Sequence, residues 1–303
     1  SSPNNPTDSQ AGTNNPSGTT SPQGTSFHDT QGSIDVNGGG QLQFTLPITL
    51  PPGIKNVAPQ VSLAYTSGSG NGIAGYGWSL SGVTSISRIG KNFEKDGEVK
   101  GIQFDYSDYY SFNGQRLILK SGEYGKPGAE YVTEKHSNIK IKSLGEYNPI
   151  YTSLKGPTMF EVTFEDGSVA QYGAYSQGST QSLSNATTPI EYYIKRWKDA
   201  QGNYITYNYS YSTGSNVAVI MSIEWGGNET IGTSHFNEIL FNYEQRLSSE
   251  QSYKEGVSFT QDKILKSVVV NANGNLFRKY IIENKKESNS NYQFVEKIAV
   301  YHS

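Results

Sequence analysis

LPPGIKNVAPQVSLAYTSGSGNGIAGYGWSLSGVTSISR, residues 50–88, is the stretch that decides the fold. Pro51-Pro52-Gly53 stops whatever precedes it, because proline has no N–H to give a ladder and glycine opens a turn. Residues 60–66 then alternate apolar Val61, Leu63 and Tyr65 at period two, the spacing of a strand with one buried face. Pro59 stands just before them, where a strand can begin without needing that N–H. Residues 67–72, SGSGNG, are too rich in glycine for regular structure. Glycines then flank an aromatic pair in Gly75-Tyr76-Gly77-Trp78-Ser79-Leu80. The backbone can turn closely there, so the Trp78 indole is expected to lie over the adjoining sheet and anchor the loop. A short strand ending in Ile86-Ser87-Arg88 closes the run.

The same texture extends outward. Upstream, residues 41–50 place Leu42, Phe44, Leu46, Ile48 and Leu50 at period two. Downstream, short strands are predicted at 103–106, 109–112, 116–119, 139–143, 159–164, 169–172 and 191–197. Others are predicted at 204–211, 217–224, 237–243, 263–270, 276–282 and 295–301. Asn113-Gly114 and Asp166-Gly167 are the Asx-Gly pairs that two-residue hairpin turns favour, and Gly202-Asn203 and Gly274-Asn275 are similar punctuation. Tyr172, Tyr207 and Tyr280 each follow such a turn glycine by five or six residues; this is either a weak internal repeat or coincidence in a tyrosine-rich chain. Residues 242–252 are the best helical candidate, and a short one. The reading is all-β with little helix: stacked antiparallel hairpins forming a β-sandwich or an open barrel-like wall. Val61, Leu63, Tyr65, Trp78, Leu80, Phe160, Trp197 and Tyr207 are expected in its core.

Residues 1–26 hold only Ser, Thr, Asn, Pro, Gly, Gln, one Asp and one Ala, too little apolar surface to offset the entropy of ordering. They read as a flexible linker, and 27–303 as one β domain. The 22 tyrosines against 12 phenylalanines suit half-buried positions on pleated sheets. A net charge of −3 with no basic face argues against nucleic acid. The absence of cysteine excludes disulfides, thiolate metal sites and cysteine nucleophiles. No stretch approaches 18 apolar residues, so no membrane-spanning helix is expected. The start shows no basic segment followed by an apolar run, as if an export signal were removed or lay elsewhere.

Chemistry-bearing patterns are sparse. His28, His136, His235 and His302 form no HExxH or H-x-H spacing, so no metal is expected from them. Asp105, Asp108 and the cluster Glu94-Lys95-Asp96-Gly97-Glu98 offer oxygens for calcium, but the EF-hand loop is absent and the cluster reads as a solvated turn. Ser79 and Ser81 lack the strand-to-helix setting of a nucleophile elbow. Glu161, Glu165 and Asp166 could pair as glycosidase acids, as could many carboxylates in a β protein. There is no E-x-E pair and no phosphate-cradling glycine pattern, and no cofactor is expected. Trp225 before Gly226-Gly227-Asn228 could stack on a sugar or contact a protein partner from an exposed surface, or it could cap a hairpin.

The 50–88 run resembles the amino-terminal domain family of the Salmonella virulence plasmid B protein, which also opens the B components of insecticidal toxin complexes. The matching positions are Pro51, Pro52, Gly53, Pro59, Gln60, Ser67 through Gly72, Gly75, Gly77, Trp78, Leu80, Ile86 and Arg88. Asn113-Gly114-Gln115-Arg116-Leu117 and residues 160–173 are similar to that family too. So is the segment carrying Trp197, Asp199, Gly202 and Asn203, with Tyr207 and Tyr209 beyond it. The resemblance covers about residues 33–303. It implies a non-catalytic structural part of a secreted bacterial toxin-like protein, extracellular or at the cell surface. Its partners would be downstream Rhs/YD repeats or a toxin-complex protein, and its role to enclose, present or help export a toxic partner. The alternative is a secreted binding module that uses exposed Tyr and Trp. Ending at Ser303 directly after a predicted strand, the chain reads as a fragment or a short standalone member.

Overall fold

The computed structural model describes residues 33–135, 138–147, 153–174, 190–211, 216–287 and 289–303. The expected linker 1–26, His28 and His136 lie outside the described residues. The described chain is nearly all strand, in two antiparallel sheets.

The first sheet uses β1 (Ser33–Val36), β2 (Leu42–Pro47), β3 (Ser62–Thr66), β4 (Asn71–Gly72), β5 (Gly75–Tyr76) and β6 (Trp78–Ser81). Their spatial order is β1-β2-β3-β6-β5-β4. The 50–88 run thus builds most of this sheet, and its period-two residues Leu46 and Leu63 are cross-strand partners pointing into the core.

The second sheet begins with β7 (Ser85–Ile89), β8 (Tyr109–Phe112), β9 (Gln115–Ser121), β10 (Glu130–Thr133), β11 (Lys140–Leu144), β12 (Met159–Thr163), β13 (Val169–Tyr172) and β14 (Glu191–Lys198). Each pairs with the next, and β14 also pairs with β7 through Glu191–Ser87, Tyr192–Ile86 and Tyr193–Ser85. Those eight strands close into a barrel. The sheet then runs on through β15 (Asn203–Tyr211), β16 (Ala218–Asn228), β17 (Asn237–Lys254), β18 (Val257–Ala272), β19 (Asn275–Lys286) and β20 (Gln293–His302). Strand β14 is where the two parts fork. One edge meets β13; the other meets β7 over its first half and β15 over its second, at Arg196–Thr206 through Lys198–Tyr204. A bulge marks the fork: Gln171 opposes Arg196 while Tyr172 opposes Ile194, leaving Lys195 as the extra residue.

One continuous core joins barrel, open sheet and first sheet, from Leu46, Leu63 and Trp78 through Phe160 and Tyr192 to Tyr207, Trp225, Val268 and Tyr280. Both halves of the sandwich-or-barrel expectation therefore hold: a closed barrel, and an open wall with a second sheet laid on it. Of the expected core residues, Val61, Leu63, Trp78, Phe160, Trp197 and Tyr207 are buried, whereas Tyr65 and Leu80 are half-buried against the core. The echoing tyrosines Tyr172, Tyr207 and Tyr280 are all buried in that same core.

Three expectations fail, each for a physical reason. Residues 103–106 form a bend instead of a strand, because the Asp108 carboxylate collects the Gln103 and Phe104 amides at 2.8 and 2.7 Å and Phe104 takes φ 58°. Residues 242–252 belong to β17, since pairing with β18 overrides a weak local helical spacing. The 273–275 turn is Asn273-Gly274, with φ 51° and 78° and Ala272 facing Asn275, one residue ahead of the pair picked out in the sequence. Asn113-Gly114, with φ 56° and 72°, is the hairpin turn expected. The only α-helix among the described residues is the single turn α1 (Phe93–Asp96), capped by Asn92 and ended by Gly97 at φ 71°.

Candidate functional site

The family-like motifs converge on three polar centres, and each performs a structural task. The first is a clamp between the sheets. The buried Trp225 indole Nε1 donates to the Pro51 carbonyl at 3.2 Å, and Asn237 Nδ2 donates to the Pro52 carbonyl at 3.1 Å. The Thr49 amide donates to the Tyr280 hydroxyl at 2.9 Å. The prolines thus leave two carbonyls without ladder partners, and the open sheet supplies the donors. Trp225 is 0% exposed, so the reading of this residue as a possible binding surface is corrected. The Gly226-Gly227 that suggested a hairpin tip lies inside β16, where Gly226, at φ 95°, makes room for the Phe236 ring.

Trp78 works on the other side of that joint. It pairs with Tyr65 across β3–β6 with ring centroids 5.5 Å apart and meets Phe44 edge-on at 6.0 Å. Gly77, at φ 80°, is required: a Cβ would sit 2.5 Å from the Tyr65 ring. Gly75 lets the β4–β5 hairpin lie on β20, close to Val295 and the Gln293 carbonyl, while Tyr76 packs on Tyr292 and Phe294 at 5.4 and 5.0 Å. Arg246 Nη2 holds the Gly72 carbonyl at 2.7 Å, and the Leu265 amide holds that of Ile73 at 2.7 Å. The loop is anchored as expected, with Trp78 as one of several anchors.

The second centre stops the barrel's mouth. Arg88 on β7 points inward and pairs with Asp108 at 2.8 Å, the two side chains 0% and 2% exposed. Its other nitrogen donates to the Lys155 carbonyl, and the Phe104 and Tyr110 rings lie 5.4 and 5.2 Å from the guanidinium. Nearby, Tyr192 donates to the Pro157 carbonyl at 2.8 Å. Asp108 is thereby committed to a cation and two amides, which removes it as a calcium ligand. Asp105 is turned onto Ser107, Asp96 is held by both Arg116 nitrogens at 2.8 and 2.9 Å, and Glu98 meets Lys91 at 2.9 Å. Among the described residues no group of three or more His, Asp or Glu side chains is placed to hold a metal ion.

The third centre is the turn carrying Trp197, Asp199, Gly202 and Asn203. Asp199 Oδ1 accepts the Gln201 and Asn203 amides, both at 2.9 Å, and its Oδ2 accepts Asn203 Nδ2 at 2.9 Å. Asn203 Oδ1 in turn accepts Asn228 Nδ2 at 2.8 Å, tying the β14–β15 turn to the end of β16. Gly202, at φ 93°, completes the turn, and Trp197 is buried beneath it.

Ser79, Ser81, Glu165 and Asp166, weighed in the sequence for catalysis, each have local partners. Ser79 and Ser81 are exposed and donate to the Ala64 and Ser62 carbonyls, Asp166 caps its own turn through Ser168, and Glu165 accepts from Asn138. His235, weighed in the sequence only as a metal ligand, takes a different place. Its ring lies 4.1 Å from that of Tyr204, beside a groove of about 370 Å³ lined by Glu224, Phe236, Asn237, Glu238 and Asn273. Burial, and secondarily Arg196, pulls its pKa down to about 4. No pattern marks it in the sequence, because its partners come from β15 and β16.

A packed β scaffold whose motifs serve turns and joints defines the class, and comparison gives the family. The family described as SpvB, Salmonella virulence plasmid 65kDa B protein, matches residues 36–270, and the chain belongs to it. Among solved structures, the N-terminal domain of effector protein SpvB from Salmonella typhimurium strain LT2 is 15% identical with a TM-score of 0.60, covering 85% of this chain and 98% of that one. TcdB2-TccC3 is 15% identical at a TM-score of 0.66, over 92% of this chain. The Photorhabdus luminescens Tc holotoxin pore, carrying the TccC3 mutation D651A, is 13% identical at 0.63, over 91%. The chain spans only 16% and 15% of those two toxin-complex chains. These likenesses are of fold. A search of curated protein sequences finds no match.

Proposed function

We propose that this protein is a non-catalytic structural module of a secreted bacterial toxin assembly, forming part of a β wall that encloses, presents or helps export a toxic partner. The observation that carries this reading is where the family-like residues go. Pro51, Pro52, Gly75, Gly77, Trp78, Arg88, Asp199 and Asn203 are all spent on joining sheets, stopping the barrel or locking a turn. The barrel interior supports the same view, being filled by Tyr110, Phe112, Tyr131, Phe160, Tyr172 and Tyr192 with ring centroids 5.0 to 6.2 Å apart. Rings at contact distance leave a solid plug where a ligand barrel needs a lumen.

The partner is a toxin-complex protein or a run of Rhs/YD repeats, and the location is extracellular or at the cell surface. The competing reading, a glycan- or protein-binding module, loses its leading residue with the burial of Trp225. Tagging the protein in its producing bacterium and isolating it gently from the culture medium tests the proposal. Recovery with a large Rhs- or toxin-complex-type protein is expected. Recovery alone, or on immobilised glycans only, would overturn it.

A further inference from the structure

The loop of residues 229–236 between β16 and β17 is braced within by the mutual Asn228–Thr233 backbone bonds at 2.9 Å and by the Phe236 amide on the Trp225 carbonyl at 3.1 Å. Its side chains pin it at both ends. Glu229 is ion-paired with Arg196 and, at 3.0 Å, with Lys198, and its amide donates to the Gly202 carbonyl at 2.9 Å. At the other end, both ring nitrogens of His235 are engaged: Nδ1 accepts the Gly227 amide at 3.0 Å, and Nε2 lies 2.9 Å from Thr206 Oγ1. An Nδ1 that accepts an N–H carries no proton, so the ring is neutral with its hydrogen on Nε2, donating to Thr206.

We propose that His235 is an acid-sensitive latch: a proton on Nδ1 turns the acceptor facing the Gly227 N–H into a second donor, and the loop of residues 229–236 lets go. Charged groups approach the ring from β14, from the loop, and from β16 and β17. Arg196 from β14 lies 4.6 Å from the centroid of the Tyr204 ring, Glu229 from the loop pairs with Arg196, and Glu224 from β16 and Glu238 from β17 line the same groove. Burial and, secondarily, Arg196 oppose protonation. The opposition wins in the closed loop, where the pKa falls from 6.5 to about 4. Opening restores the ordinary value, so the open loop binds more protons across that interval. Closure is therefore at full strength above about pH 6.5 and weakens as pH falls toward about 4. Beside the loop, Glu224 and Glu238 face each other directly across β16–β17 and line the groove.

Hydrogen exchange normalised for intrinsic rates tests this. Protection at Gly227 and through the loop is expected to fall on the order of 50-fold between about pH 7.5 and about pH 4.5, the gain in opening that such a pKa difference gives. Protection unchanged within about twofold would overturn the latch. His235→Gln keeps one acceptor and one donor without titrating there, so its protection should be equal at both pH values; an undiminished loss would count against His235. Glu229→Gln should leave the pH response in place, and its disappearance would move the switch to the carboxylate. Should H235Q not fold, the titration of the His235 ring in the unaltered protein decides, with a midpoint near 4 expected and one near 6.5 fatal.

Discussion

The barrel and the open sheet share strand β14 but dispose of their edges in opposite ways. In the barrel, strands of four to eight residues close on themselves, and aromatic side chains fill the inside. Closure removes the unpaired N–H and C=O groups that make an edge reactive. The open sheet, β15 to β20, has strands of nine to eighteen residues, ends at β20, and carries a broad apolar face that needs a cover. That face contains Ile205, Ile223, Trp225, Ile239, Val268 and Ile282, and the first sheet covers it. The barrel is self-sufficient, whereas the sheet depends on a partner delivered by a distant part of the chain.

Substitutions can break that contrast. Trp225→Ala removes the ring at the clamp and is expected to cost about 3–5 kcal/mol in chemical unfolding, with Trp78→Ala in the same range. If the two parts differ as described, proteolysis of either variant should cut the open sheet before the barrel. Equal cleavage of both would show them to be a single cooperative unit.

Arg88→Met attacks the barrel instead. Stranding the Asp108 charge in the buried mouth should cost about 3–4 kcal/mol, and adding Asp108→Leu should restore most of it, because a buried pair is more costly to halve than to remove. A double variant as unstable as the single one would mean that the charges themselves hold the mouth closed. Smaller again, Asn203→Ala removes the side chain that bridges Asp199 Oδ2 and Asn228 Nδ2 at the turn beside the fork, at about 1 kcal/mol in the same assay.

The smallest effect concerns the barrel's outer wall. Arg116 hydrogen bonding holds the Asp96 carboxyl down at about 2 from an ordinary 3.8, against a weaker opposing effect of burial. A depressed carboxylate stabilises the fold above its unfolded pKa, and that contribution fades as pH falls from about 4 through about 2. Wild type and Asp96→Asn should therefore differ in stability at neutral pH and converge near pH 2. A gap that persists there would point to packing.

The sequence made the local features legible and hid the long-range ones. Period-two runs such as residues 204–211 and 169–172 became strands because one face of each is buried, and Asn113-Gly114 became a turn because both residues take positive φ. The short β10 was missed, since Glu130–Thr133 has no alternation that its flanks do not blur. The closure of β7 on β14 could not be read, because the pairing of Ile86 with Tyr192 is written nowhere near either residue. The site reading suffered in the same way. Arg88 was picked out by its motif, but its partner Asp108 was weighed as a calcium ligand, and Trp225 looked exposed because its glycine neighbours suggested a tip.

The forked strand also sets a timetable. A ribosome delivers β7 long before β14, and the Thr49 amide long before the Tyr280 hydroxyl that receives it. Contacts so distant along the chain form slowly, and the first sheet has no cover for its apolar face until the open sheet follows. The run between β2 and β3 therefore docks late, once β16 and β19 have arrived to supply the Trp225 indole and the Tyr280 hydroxyl.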